Sequence, residues 1–234
     1  MPDPTSIPGP ETLRKHLETL RDLRGADVAS GPPPRLAEVK AWQQARLART
    51  YADVAVQPRY AAATAFFLDD LYGPKDFSRR DAAMLKIYPT MVRILPASAV
   101  QTAALSIEVD ALSESMDRRL ALALPGGPIT EASYGQAYRA TSTPAERERQ
   151  IALVMEVGKR LDRLVVKPLV YRTLKMMRTP ARLAGMSDLQ EFMEHGFEAF
   201  RAMGGADEFL ATVAARERAI ASRLFSSAAE PFSV

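Results

Sequence analysis

The sequence predicts an all-α protein, a single multi-helix, bundle-like domain of about nine or ten helices. Apolar residues recur at helical spacing along most of the chain, and no segment of useful length alternates with period two. Helix-start and helix-stop residues bracket the periodic segments. The connectors are short, as they are inside one helical domain.

Taken in order, residues 1–10 carry four prolines and read as a disordered or extended N-terminus. A first helix is expected from about Glu11 to Arg24, with Leu13, Leu17, Leu20 and Arg24 on one stripe and Gly25 ending it. Ser30-Gly31 and three consecutive prolines mark a loop. A second helix starts near Arg35 and carries Trp42, the one tryptophan, on to about Val56. Pro58 opens the helix holding Phe66-Phe67-Leu68-Asp69-Asp70-Leu71-Tyr72, which Gly73-Pro74 stops.

Ser78 is the expected N-cap of the next helix, with Asp81 as its capping-box partner. Pro89 is expected to kink or divide that helix, because it lacks a backbone donor and crowds the preceding turn. Pro96 opens a long helix to about Leu124, which Pro125-Gly126-Gly127-Pro128 terminates. A short helix follows from Thr130 to about Ala140. Thr143-Pro144-Ala145-Glu146 then gives the clearest start signal, since threonine caps, proline suits the first helical position and glutamate reaches back. That helix runs to about Val166. Another starts at Pro168 and is bent or ended near Pro180. Ser187 with Gln190 caps a helix to Met203, Gly204-Gly205 breaks it, and a last helix spans about Ala206 to Phe225. Residues 11–225 thus form the domain and 226–234 a C-terminal tail.

Composition removes several function classes. The chain has no cysteine, so disulfides, thiolate zinc, iron–sulfur ligation and cysteine nucleophiles are excluded. No apolar run reaches the roughly 18–20 residues needed to span a membrane, and there is no secretory signal, so a cytoplasmic protein without membrane association is expected. The 31 basic and 28 acidic residues leave a formal charge of +3 spread along the chain. The densest basic patches, Arg79-Arg80, Arg118-Arg119 and Lys175 to Arg182, are interrupted by acids or apolar residues, so nucleic-acid binding is disfavoured.

Helical geometry assigns directions to the charges. On the Pro58–Tyr72 helix, Tyr60, Ala63, Phe67 and Leu71 define the buried side. Asp69 points away from it, while Asp70 lies beside Phe66 and is the semi-buried acid. On the helix after Thr143, Asp162 falls inside the sector of Ile151, Val154, Met155, Gly158 and Val165. A buried carboxylate there calls for an arginine partner or a proton. Gly158 lets a helix or a ligand come close. On the Pro96–Leu124 helix, Asp110 and Glu114 point away from the stripe of Leu105, Val109, Leu112, Met116 and Leu120, and read as a solvated face, with Glu108 at its margin.

Glu191 and His195 stand i,i+4, a spacing that can ligate a metal. However, Leu189, Phe192, Gly196, Phe200 and Met203 form the buried stripe there, leaving Glu191, Glu194, His195 and Glu198 outside it. A bundle metal site needs ligands that project inward from several helices, so no metal is expected on this pair. His16 and His195 are the possible haem ligands, and both sit toward the surface. No cofactor is expected. There is no G-x-S-x-G elbow, P-loop or G-x-G-x-x-G following a strand.

Three blocks carry a resemblance. They are Phe66 to Pro74 with Asp76-Phe77-Ser78-Arg79-Arg80-Asp81; Glu148-Arg149-Gln150-Ile151 through Leu161-Asp162; and Met177-Arg178-Thr179-Pro180-Ala181 through Phe200-Arg201-Ala202-Met203-Gly204. Together they resemble a bacterial family of uncharacterised helical proteins named for an FFLEELY motif. This chain has Asp69 and Asp70 where that name implies two glutamates. The resemblance implies a helical fold and no activity, cofactor or catalytic residue.

The expected function is therefore non-catalytic: binding of a protein partner or a small apolar ligand between helices, with Phe66, Phe67, Asp70, Tyr72 and Asp162 as the binding residues. The alternative is a metal-dependent helical-bundle enzyme using Asp70, Glu108 or Asp162.

Overall fold

A computed structural model of the chain describes residues 9–71, 78–94 and 96–234, and the ordered elements among these are all helical. They are α1 (Pro10–Ser30), α2 (Leu36–Thr50), α3 (Ala52–Ala55), α4 (Ala61–Ala65), a π-helix (Phe66–Leu71), α5 (Ser78–Ile94) and α6 (Ala97–Ala123), followed by α7 (Glu131–Thr141), α8 (Pro144–Val165), α9 (Pro168–Met176), α10 (Arg178–Leu183), α11 (Ser187–Met203) and α12 (Asp207–Phe225). The expected all-α class holds. Tyr72 and the side chains of Ser78 and Asp81 lie outside the described residues.

The start signal at Thr143 acts as its chemistry requires. Thr143 Oγ1 accepts the Glu146 backbone N–H at 3.2 Å, and Glu146 Oε2 accepts the Thr143 N–H at 2.8 Å. Thr130 and Ser133 cap α7 in the same reciprocal way. At α11 the expected cap is absent. Met186 occupies that position, and Gln190 instead donates to the Leu174 carbonyl at 2.7 Å and to Glu194. Pro89 lies inside a continuous α5.

α1 does not stop at Gly25 but continues to Ser30 and ends at Gly31, whose φ is 77°. Contacts made at long range carry it through the glycine. Leu13, Leu17 and Leu20 are buried against α5 and α6, Arg24 reaches Asp110 at 2.9 Å, and Asp27 accepts from Arg118 at 2.9 Å. A Cβ added to Gly25 would meet nothing within 4 Å. Gly25→Ala is thus expected to raise stability by about 0.5–1 kcal/mol, read by urea denaturation, because it removes the glycine's entropy cost in a helix.

α6 is the central helix. It packs on α1 and α8, and also on α2, α5 and α7. The helices enclose three apolar clusters, two of which include residues of α6. Leu13, Leu17 and Leu20 meet Val100, Ala104 and Ile107 in one. Leu120 and Leu124 meet Tyr134, Tyr138 and Leu224 in a second. In the third, Tyr60 and Ala63 meet Phe197, Phe200, Phe209 and Leu210. Helices on both sides of Pro125–Pro128 pack together, as α6 does with α7 and α8. Residues after α12 form no helix, yet Phe232 is half-buried against Trp42 and Tyr134, at ring distances of 5.5 and 5.9 Å.

Because α6 is surrounded, its second side is not solvated. Glu114 is only 3% exposed and is gripped by Lys40 at 2.8 Å, Arg118 at 2.9 Å and Arg24 at 3.3 Å. Burial alone would raise its pKa; Lys40, with Arg24 and Arg118, outweighs burial and holds it below the ordinary value. The expectation of a solvated Glu114 is corrected, because α1 and α2 cover the face that the α6 pattern leaves polar. Asp117 on the same helix is buried too, accepting from Gln43 at 3.1 Å.

Candidate functional site

The segment Phe66–Leu71 winds as a π-helix rather than continuing the α4 geometry. π-turns inside helices recur at functional sites. Phe66 is buried against Phe192, ring to ring at 5.4 Å, and against the bare backbone of Gly196. A Cβ on Gly196 would lie 2.7 Å from the Phe66 ring. The π-helix and α11 therefore touch at a point where no side chain fits between them. Phe67 is half-buried between Phe200 and Phe209, at 6.4 and 5.6 Å.

The two acids divide as the helical wheel indicates, but the buried side is corrected: Leu71 is exposed and Phe66 is buried, because the π-helix departs from the roughly 100° step of an α-helix. Asp69 is exposed, and Asp70 is half-buried with one oxygen 3.4 Å from His195 Nδ1. The structure thus joins residues from the Phe66–Tyr72 and Glu191–His195 motifs. Glu191 and His195 are exposed as expected. Among the described residues, no three of histidine, aspartate and glutamate converge to hold a metal.

Glu194 is a correction. It is buried rather than facing solvent, because α9 and α10 fold over that side of α11. Arg178 Nε donates to it at 2.6 Å, Gln190 at 2.7 Å and Lys175 at 3.3 Å. The hydrogen bond from Arg178 is the largest influence holding the Glu194 carboxyl down to about 2, with Gln190 and Lys175 adding to it against the effect of burial. Its folded pKa is depressed from 4.5. Its contribution to stability is therefore present above about pH 4.5 and is lost as pH falls toward 2. Glu194→Gln is expected to cost about 2 kcal/mol at pH 7, allowing for screening at exposed Arg178, with the difference closing near pH 2. Urea denaturation of both proteins at the two pH values checks this.

Asp162 lies elsewhere. α8 ends at Val165, Pro168 starts α9 in a new direction, and α11 ends at Gly204 with φ 62°. These three ends diverge and leave a cleft of about 630 Å³. Val165, Tyr171 and Phe200 supply its apolar wall, Asp162 lines it from α8, and Arg172 and Arg201 stand exposed at its rim. Among the described residues, the half-buried Asp162 carboxylate has neither a hydrogen bond nor an ion pair. This departs from the expected arginine partnership. Tyr171 stacks on Phe197 at 5.3 Å, with the Arg201 guanidinium 4.8 Å from its ring centre.

Asp70 does not line the cleft, but Phe200 connects the two places, since it faces the cleft and also packs on Phe67. Sequence reasoning missed Tyr171, Arg172 and Arg201. The available signal was Pro168 beginning a new helix opposite the Gly204-Gly205 stop, which places three helix ends together.

Residues 24–231, which contain both the π-helix and the cleft, match a family model. No curated protein and no solved structure matches the chain. With that match covering most of its length, the chain belongs to the family described as Domain of unknown function (DUF8198).

Proposed function

We propose that this chain is a non-catalytic binding protein that holds a small, largely apolar ligand in the cleft between α8, α9 and α11. The cleft of about 630 Å³ falls within the roughly 300–1,000 Å³ of small-molecule sites. The single observation carrying the reading is Asp162. A half-buried carboxylate has lost part of its hydration, and here no side chain among the described residues replaces it. A ligand with an apolar body and a hydroxyl or ammonium donor satisfies both the wall of Tyr171 and Phe200 and this carboxylate.

No helix among the described residues is long and apolar enough to cross a membrane. As part of the same proposal we place the protein in the cytoplasm, a compartment that suits a chain without cysteine.

The test is a thermal-shift series with aliphatic and aryl alcohols, amines and carboxylic acids of matched size. Amines and alcohols raise the melting temperature of the wild-type protein, and Asp162→Asn removes the preference for amines over acids. No shift across the series, or an unchanged preference in Asp162→Asn, overturns the reading.

A further inference from the structure

α9 has two apolar faces. Val170, Tyr171 and Leu174 turn inward and pack on the third core cluster. Leu169 and Met176, seven residues apart on the opposite side, are 75% and 78% exposed. Val166 precedes this row at 74%, and Leu183 on α10 follows it at 80%. Among the described residues, five of the ten large exposed apolar side chains fall between positions 166 and 183. Single exposed apolar residues are ordinary, whereas a concentration of them marks an interaction surface.

The charge along this segment is one-sided. From Arg163 to Ser187 there are six cations, Arg163, Lys167, Arg172, Lys175, Arg178 and Arg182, and no acid. Lys175 and Arg178 are occupied by Glu194 and Glu198. Among the described residues, the other four are exposed and without ion pairs. Glu194 and Glu198 anchor α9 and α10 to α11, and the outer face is left apolar and positive.

We infer that the outer face of α9 and α10 docks an acidic amphipathic helix of a partner protein. Leu169 and Met176 stand one heptad apart, about 10.5 Å along the axis at 1.5 Å per residue, a spacing that meets the side-chain rows of a second helix. Lys167 at the start of α9 and Arg172 within it stand next to this row, so a partner helix with glutamate or aspartate beside its apolar stripe matches both features. A lipid surface is the poorer fit. It would call for a broad apolar face to enter the headgroup layer, whereas on α9 this row is the narrow line of Leu169 and Met176, with Arg172 and Thr173 to its sides.

The experiment selects binders to the full-length protein from a displayed library of helical peptides. The expected winners are acidic, with apolar residues at i, i+3 or i+4, and i+7. The pair Lys167→Glu with Arg172→Glu weakens them at least about tenfold, as loss of charge complementarity predicts. Leu169→Ser with Met176→Ser does so as well. Asp162→Asn leaves peptide affinity unchanged, which keeps this outcome distinct from that of the cleft ligand. These four positions are exposed, and unchanged circular dichroism confirms that each variant folds. Winners without acidic bias, or binding that survives both double variants, overturn the inference. So does sedimentation with phosphatidylglycerol vesicles that the charge reversal abolishes, since that assigns the face to lipid.

Discussion

Glu114→Ala is expected to lower stability by about 3–4 kcal/mol, the lower part of the roughly 3–5 kcal/mol for removing one member of a buried ion pair, and the melting temperature by about 10 °C for a chain of this size. The alanine removes the one carboxylate shared by Arg24, Lys40 and Arg118, whose side chains are only 10–15% exposed. Arg24 retains Asp110 and Arg118 retains Asp27. Lys40 loses its partner, and an ammonium held there without one must lose its proton or leave its place. Adding Lys40→Met to Glu114→Ala is therefore expected to recover about half of the loss, since an apolar side chain of similar length removes the stranded charge. Urea denaturation of the wild type and both variants decides the matter. A cost below about 1 kcal/mol for Glu114→Ala would show that the three cations reach solvent instead, as exposed ion pairs do.

The second large effect is expected at Gly158→Val. A Cβ at Gly158 would lie 2.4 Å from Leu210 Cδ2 and 2.9 Å from Cδ1. Leu210 is fully buried in the cluster shared by α8, α11 and α12, so it cannot swing into solvent. Overpacking of such a site costs typically 1–3 kcal/mol, and valine, which adds two methyl groups beyond Cβ, is placed at about 3. Gly158→Ala is expected to cost about 1–2 kcal/mol, because alanine recovers about 1 kcal/mol of helix propensity against its clash. Stability loss should thus rise from alanine to valine. Equal stability for all three residues would mean that α8 and α12 separate without cost. The sequence indicated that something approaches closely at Gly158, and the approaching group is the side chain of α12.

The same contrast runs through the site residues. Asp69 and Asp70 could be told apart before the fold was known, because neighbours on a helix point about 100° apart and the aromatic side was evident. His195 as the neighbour of Asp70 could not be foreseen, since it lies 125 positions further along the chain. Asp162 was legible as an acid on an apolar side. That it faces a cleft depends on where α9 and the end of α11 lie. Helical direction alone points both Glu114 and Glu194 to solvent, since a wheel ranks directions within one helix only. Both are buried because other helices cover them and supply cations.

Local sequence suffices to make this chain helical, to start helices at Pro96, Thr143 and Pro168, and to end one at Gly204. Those outcomes rest on backbone donors, caps and side-chain periodicity within a few residues. Tertiary structure decided which polar faces became interior, that α1 crosses Gly25, that Phe66–Leu71 takes a π form against Gly196, and that the outer face of α9 stays uncovered. Each of these turns on helices brought together from distant parts of the chain, where packing and paired charge outweigh local preference.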